Sequence, residues 1–182
     1  MPRLNTVVAR RAKKIRLLLL DVDGVLTDGS ISLLSEGAGR AREIKTFNSL
    51  DGAGLRLMKL VGLRTGIITG RKSAAVTARG RELDMDFVVQ DAFQKLPAFE
   101  KILRRARLKP EQVCFVGDDV TDLPVMARVG LAVAVANAHP EAKKRAHYVT
   151  RAAGGHGAVR EVIDLILRAQ GKYAAIVRRF LG

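Results

Sequence analysis

Leu17-Leu18-Leu19-Leu20-Asp21-Val22-Asp23-Gly24-Val25-Leu26-Thr27-Asp28-Gly29 is the stretch that decides the fold. Four consecutive leucines cut off by acids read as a strand buried on both faces that ends in a turn. A second stretch repeats the design: Val113-Cys114-Phe115-Val116 runs into Gly117-Asp118-Asp119-Val120-Thr121-Asp122. In open parallel sheets, ligands bind beyond the carboxyl ends of the strands. If the two strands are neighbours, Asp21, Asp23 and Asp118 converge there.

Working outward, 63–69 and 131–135 read as further buried strands, and 87–89 and 148–149 as short ones. Helices are expected over 51–61, 73–83, 95–106, 123–129, 139–146 and 159–170, with Ser73 capping the second. Pro110 opens a turn or short helix. Gly29, Gly37 and Gly39 mark a hairpin within 24–46, a flap over about 28–47 with its tip at 35–39. Strands alternating with helices give an α/β fold: a three-layer, doubly wound parallel sheet of Rossmann-like form. The hairpin inserted after the first strand is too small to be a cap domain. The domain runs over 15–170, with a basic, solvated arm at 1–14 and a tail at 171–182.

The chain has 182 residues and 48% apolar content, which suits one domain with a sizeable core. One cysteine, Cys114, excludes a disulfide scaffold and favours a reducing cytoplasm. No Trp and 4% aromatics argue against base stacking on single strands. Apolar runs such as 17–20 fall far short of the roughly 20 residues that span a bilayer. The formal charge of +14 is uneven: residues 1–16 hold six basic side chains and no acid. Such an arm can bind nucleic acid or an anionic lipid surface, serve as a transit peptide, or simply be a solvated tail.

Carboxylates packed as closely as Asp21, Asp23 and Asp118 repel one another and become partly protonated. A divalent cation removes the conflict, and Mg²⁺ takes oxygen ligands from carboxylates, phosphate and water. Thr69-Gly70-Arg71 ends the second strand and Lys95 opens the helix after the third. A hydroxyl and an ammonium pointing into such a site could hold phosphoryl oxygens. Singly, each residue has a plainer reading: an Asp caps a helix, a Lys is solvated. Together, Asp-x-Asp-Gly-Val-x-Thr-Asp-Gly and Gly-Asp-Asp-x-x-Asp, each after a buried run, are rare by chance.

Asp21-Val22-Asp23, Thr69, Lys95 and Gly117-Asp118-Asp119-x-x-Asp122, in that order, resemble the haloacid dehalogenase superfamily of phosphatases. Lys45-Thr46-Phe47-Asn48-x-x-Asp51-Gly52-x-Gly54, Thr69-Gly70-Arg71-Lys72 and Gly154-Gly155-x-Gly157-Ala158-Val159-Arg160-Glu161 narrow the likeness. They resemble the 3-deoxy-D-manno-octulosonate 8-phosphate (KDO 8-phosphate) phosphatase family. The resemblance implies Asp21 as nucleophile and Asp23 as general acid, then base. It implies Mg²⁺ on Asp21, the Asp23 carbonyl and Asp118, with Thr69 and Lys95 on the phosphoryl oxygens. Asp119 and Asp122 would orient metal waters or Lys95. Asp23, Asn48, Asp51, Gly52, Arg56, Arg71, Arg79 and Lys95 would contact substrate, although a solvated helix face is the plainer reading of each arginine and Asp51 could cap the next helix.

The family further implies a cytoplasmic homotetramer acting in lipopolysaccharide precursor synthesis, without a nucleic-acid partner. A neighbour's hairpin and tail, with Lys172, Arg178 or Arg179, would close the site. A long hairpin around 37–42 and His156 in the glycine loop depart from the family pattern. Two other readings are another sugar acid phosphate, such as a nonulosonate 9-phosphate, and a binding module built on the basic arm.

Overall fold

The computed structural model describes residues 6–181. Six parallel strands form one sheet in the order β5-β4-β1-β6-β7-β8. They are β1 (Leu17–Leu20), β4 (Arg64–Ile68), β5 (Phe87–Val89), β6 (Val113–Gly117), β7 (Leu131–Ala134) and β8 (Tyr148–Val149). Every residue of β1, β6 and β7 is buried, as their continuous apolar runs require. Among the described residues β2 (Ser32–Gly37) and β3 (Arg40–Ile44) pair only with each other, as the expected antiparallel hairpin.

Helices cover both faces. α2 (Ser49–Leu60) packs on α7 (Ala158–Ala169), while α4 (Lys95–Ala106), α5 (Leu123–Met126) and α6 (Pro140–Arg145) form a contiguous opposite layer. α3 (Ala74–Glu82) follows β4. From β1 the chain steps outward to β4 and β5, then returns to β6 on the other side of β1. That reversal opens a crevice between β1 and β6 at their carboxyl ends. Leu20 is in register with Val116, so Asp21 and the Gly117–Asp118 turn leave the sheet side by side.

Both ends of the chain depart from the sequence expectation. Thr6–Ala12 is a helix, α1, rather than a solvated arm; Val8 and Ala12, one turn apart, are buried toward α7. Residues 1–5, Arg3 among them, lie outside the described residues. Tyr173–Leu181 is also a helix, α8, and packs on its own α7. Ile176 is buried, the Arg168 guanidinium sits 3.7 Å from the Tyr173 ring centroid, and Lys172 donates to Val61 O at 3.3 Å. Lys172 therefore serves this fold, while Arg178 and Arg179 are exposed. Ser73 occupies the N-cap of α3, but its side chain makes no capping bond; its N–H donates to Gln90 Oε1 at 2.7 Å.

Candidate active site

The acid turn after β1 is tightly wound: the N–H groups of Val25, Leu26 and Thr27 all donate to Val22 O. Gly24 lies in the left-handed region at φ 85°, and a Cβ there would collide with the Asp118 carboxylate. The two acid turns can close on each other because this residue has no side chain.

Asp21 is buried and doubly held. Oδ1 accepts from Val22 N–H at 2.7 Å, and Oδ2 lies 2.6 Å from Lys95 Nζ. Lys95, delivered by the first residue of α4, also lies 2.5 Å from Asp122 Oδ1. Asp122 is fully buried, and its Oδ2 accepts from the N–H groups of Asp118 and Asp119 at 2.8 and 3.1 Å. Asp122 thus locks the second acid turn to Lys95. Asp119 itself is exposed.

Burial pushes the Asp21 carboxyl up to about 6; Lys95 opposes this and Asp122 adds to it. Burial, then the neighbouring Asp21 and Asp122 charges, push Asp118 up to about 7. For Lys95, burial works against the charged form, but the two carboxylates outweigh it and hold the ammonium more firmly protonated than usual. This is the pattern of a site built around one more positive charge than the chain supplies.

Asp21, Asp118 and Asp122 offer carboxylate oxygens that all lie within 4.8 Å of one another. Both oxygens of Asp122 and both of Asp21 already have partners within the protein, which leaves Asp118 as the carboxylate with an oxygen to spare. Asp118 Oδ1 is buried with no hydrogen-bond partner. An orphaned carboxylate oxygen facing a second carboxylate is the donor set a hard divalent cation takes, so these residues fit Mg²⁺.

Thr69 ends up at the site's wall, buried at the carboxyl end of β4, with its N–H on Val89 O at 3.0 Å. Its carbonyl accepts from Ala92 N–H at 3.0 Å, which stitches the turn after β4 to the loop that presents Lys95. Asp23 faces the base of the hairpin. Its carboxylate contacts Lys45 Nζ, and Arg71 Nε lies 3.6 Å away. Glu43 bridges the same two cations, at 3.3 Å from Lys45 and 2.8 Å from Arg71. Lys45 and Glu43 were not among the expected site residues. Their signal was a basic residue where the hairpin re-enters the body, next to the Thr-Phe-Asn motif.

Five expected substrate residues do not join this cluster as the chain stands alone. Asn48 caps its own helix α2, accepting from Leu50 and Asp51 N–H, and its amide donates to Gly155 O at 3.2 Å. Asp51 does cap a helix, but a different one: it accepts from Arg160 N–H at 2.7 Å at the start of α7. Gly157, the N-cap of α7, has no side chain to do so. Gly52 makes room for the Arg79 guanidinium. Arg79 spans Glu82 at 2.8 Å, Asn48 O at 3.4 Å and the Phe47 ring at 5.6 Å. Arg56 is exposed and pairs with Glu82 at 3.3 Å. Arg56 and Arg79 line a groove between α2 and α3, rimmed by Phe180. His156 is an exposed residue of the glycine loop. That loop supports the site: Gly155 N–H donates to Val25 O at 3.0 Å, and Gly154 lies so close to Gly24 O that no Cβ would fit.

Residues 68–163 match the family model of haloacid dehalogenase-like hydrolases. The chain belongs to the haloacid dehalogenase-like hydrolases. Its acids stand on the turns after β1 and β6. It is 50% identical over 165 residues to 3-deoxy-D-manno-octulosonate 8-phosphate phosphatase KdsC of Escherichia coli K12, covering 91% of this chain and 86% of that one. Among solved structures it is similar to the Yersinia pestis 3-deoxy-D-manno-octulosonate 8-phosphate phosphatase, with TM-score 0.90, 46% identity and coverage of 94% and 90% of the two chains. It is also similar to the Moraxella catarrhalis enzyme of that name, solved with a magnesium ion, a phosphate ion and KDO, with TM-score 0.91, 36% identity and coverage of 98% and 99%.

Proposed function

We propose that this hydrolase is a Mg²⁺-dependent phosphatase that converts KDO 8-phosphate to KDO and inorganic phosphate. The observation that carries the reading is the convergence of Asp21, Lys95 and Asp118 in one buried crevice, with an orphaned oxygen on Asp118. The 50% identity to a phosphatase of that substrate supports the choice of sugar.

An Asp21 carboxylate oxygen attacks phosphorus and the bond from phosphorus to the sugar oxygen breaks. The leaving oxygen takes a proton from Asp23, and the phosphoryl group stays on Asp21 as an acyl phosphate. Asp23 then accepts a proton from water as that water attacks phosphorus, which releases phosphate and restores both carboxyls. Val22 N–H and Lys95 fix the nucleophile in one orientation, so little is lost to alignment in the transition state. Thr69 and Lys95 hold equatorial phosphoryl oxygens where charge develops. Asp21, Asp118 and the Asp23 carbonyl would hold Mg²⁺, which supplies neutralising charge to the phosphoryl group when bound. Arg71, half exposed at the rim, is placed to meet the carboxylate of the sugar acid through its planar fork.

The hairpin leaves Ile31, Leu33, Leu34 and Ile44 about half exposed or more, on a two-stranded sheet with no partner strand among the described residues. A lone hairpin is marginal in water, so we assign these faces to contacts in a homotetramer. In that assembly Arg56 and Arg79 serve a neighbour's site. No described helix is long and apolar enough to cross a membrane. We place the enzyme in the cytoplasm, in lipopolysaccharide precursor synthesis.

Phosphate release from KDO 8-phosphate, a nonulosonate 9-phosphate and hexose phosphates, with Mg²⁺ and with chelator, tests the reading. Metal-dependent release that strongly favours KDO 8-phosphate is expected. Preference for the nonulosonate would overturn the substrate, and no release at all would overturn the chemistry.

A further inference from the structure

The amino end of the sheet, opposite the acid crevice, carries a groove of about 660 Å³. Arg16 precedes β1 and Arg64 opens β4, which pairs with it from its first residue. Lys13 and Lys14 come from the link between α1 and β1, Lys109 from the turn before β6, and Lys172 from the link between α7 and α8. Arg10 and Arg11 extend the groove past Gly130, sharing Lys14 and Glu111 with it. Glu111 is the only acid in either lining. Eight basic side chains and one acid make a net +7, half of the chain's formal +14.

None of these eight cations makes an ion pair among the described residues. At the other end of the sheet, Lys45, Arg71, Arg79 and Lys95 each face a carboxylate. Like charges gathered in a concavity repel each other and raise the local positive potential, and an anion in the groove relieves both. Several of the cations are also positioned. Arg64 Nη2 donates to Ala106 O at 2.8 Å and Arg11 Nη1 to Gly130 O at 2.7 Å. Arg11 Nε is buried without a partner.

The lining also says what kind of anion fits. It holds no Phe, Tyr or Trp, so nothing there stacks on a base. Of its apolar members Ile15 and Leu63 are buried and Val61 is partly buried against the core, so no exposed apolar side chain there inserts into a bilayer. The cations line two adjoining hollows that share Lys14 and Glu111, which matches negative charge repeated along a chain rather than a single anion. We propose that this groove is a binding site for a linear oligophosphate, either an inorganic polyphosphate or the triphosphate tail of a nucleotide.

The test is calorimetric titration of the metal-free full chain with sodium tripolyphosphate, a nucleoside triphosphate, a 20-bp duplex DNA and vesicles rich in anionic phospholipid. Wild type is compared with the double variant Lys14→Glu, Arg16→Glu, two exposed side chains away from the crevice. Tripolyphosphate is expected to bind with steep salt dependence, and the double variant to weaken it about tenfold or more while phosphatase turnover is unchanged. Equal affinity for tripolyphosphate and nucleoside triphosphate assigns the site to the phosphate chain alone; a clear preference for the nucleotide assigns it to the tail. Binding that the variant leaves intact overturns the proposal, as does tighter binding of duplex or vesicles per phosphate. No binding of tripolyphosphate also overturns it. None of these results depends on which sugar phosphate the crevice hydrolyses.

Discussion

The two ends of one sheet treat charge in opposite ways. At the carboxyl end Asp21, Lys95 and Asp122 are buried and paired within 2.6 Å; burial raises the Asp21 carboxyl, and the two carboxylates hold Lys95 protonated against its own burial. At the amino end Lys13, Lys14 and Arg16 are exposed, and none of the eight cations has an ion-pair partner among the described residues. Burial turns a few charges into a reactive group whose members depend on one another. Solvation lets many charges add to a field with little dependence on any single one. Substitutions should therefore have large, coupled effects at the carboxyl end and small, additive ones elsewhere.

The largest effect is expected from Asp21→Asn. It removes the attacking oxygen's charge with hardly any change in shape, and turnover should fall on the order of 10⁴-fold or more with the fold retained. Steady-state phosphate release and circular dichroism check both halves. Lys95→Met comes next. It strands Asp21 and Asp122 without their cation, and should cost about 3–5 kcal/mol in denaturant unfolding as well as most of the activity. If Lys95→Met proved as mild as a surface change, the contrast between the two ends would be lost.

Protonation sharpens the same contrast. Asp21 and Asp118 have native values raised to about 6 and 7, so the metal-free fold holds extra protons. That contribution to stability is complete below about pH 4, the range of an unperturbed Asp, and is lost as pH rises through 6 and 7. Mg²⁺ must displace those protons, so its affinity should rise up to about a hundredfold per pH unit near pH 5, where both carboxyls hold a proton, and less steeply toward pH 7. The gain in Tm on adding Mg²⁺, read at each pH, is expected to grow over that window. A flat gain would show that the raised carboxyls do not bind the metal.

Two smaller effects mark the boundary of the coupled region. Asp51→Ala should cost about 1–2 kcal/mol by thermal unfolding because α7 loses its cap, while Asp51→Asn keeps an acceptor oxygen and should cost little. Arg56→Ala should leave stability nearly unchanged. It should raise KM only in a preparation that light scattering shows to be assembled, since Arg56 lies away from its own crevice.

The crevice was legible in the sequence because strand ends are unambiguous: a buried run stops, and the next residue must sit at the sheet's rim. Asp21, Thr69 and Asp118 follow that rule, and Lys95 is placed by opening the helix after the third strand. The arginines did not, because direction on a helix face is set by packing. Arg79 turns toward Glu82, Asn48 and Phe47 through contacts that exist only once α2 and α3 meet. The cap that Asp51 provides was hidden for the same reason, since its partner Arg160 lies 109 residues away. The terminal helices were within reach. Val8 with Ala12, and Tyr173, Ile176, Val177 with Phe180, carry helical spacing that the basic residues around them obscured.

The seating of the Gly154–Gly155 loop on the turn that bears the nucleophile has a consequence for synthesis. β1 finds its neighbour β6 only after Val113 has been made, and the turn at 22–27 gains its brace only when Gly155 arrives. A nascent chain emerging from the ribosome thus carries its nucleophile from the start but cannot hold it in place. Hydrolysis should switch on late and abruptly in a series of stalled chains of increasing length, once the glycine loop and the first turn of α7 have left the exit tunnel.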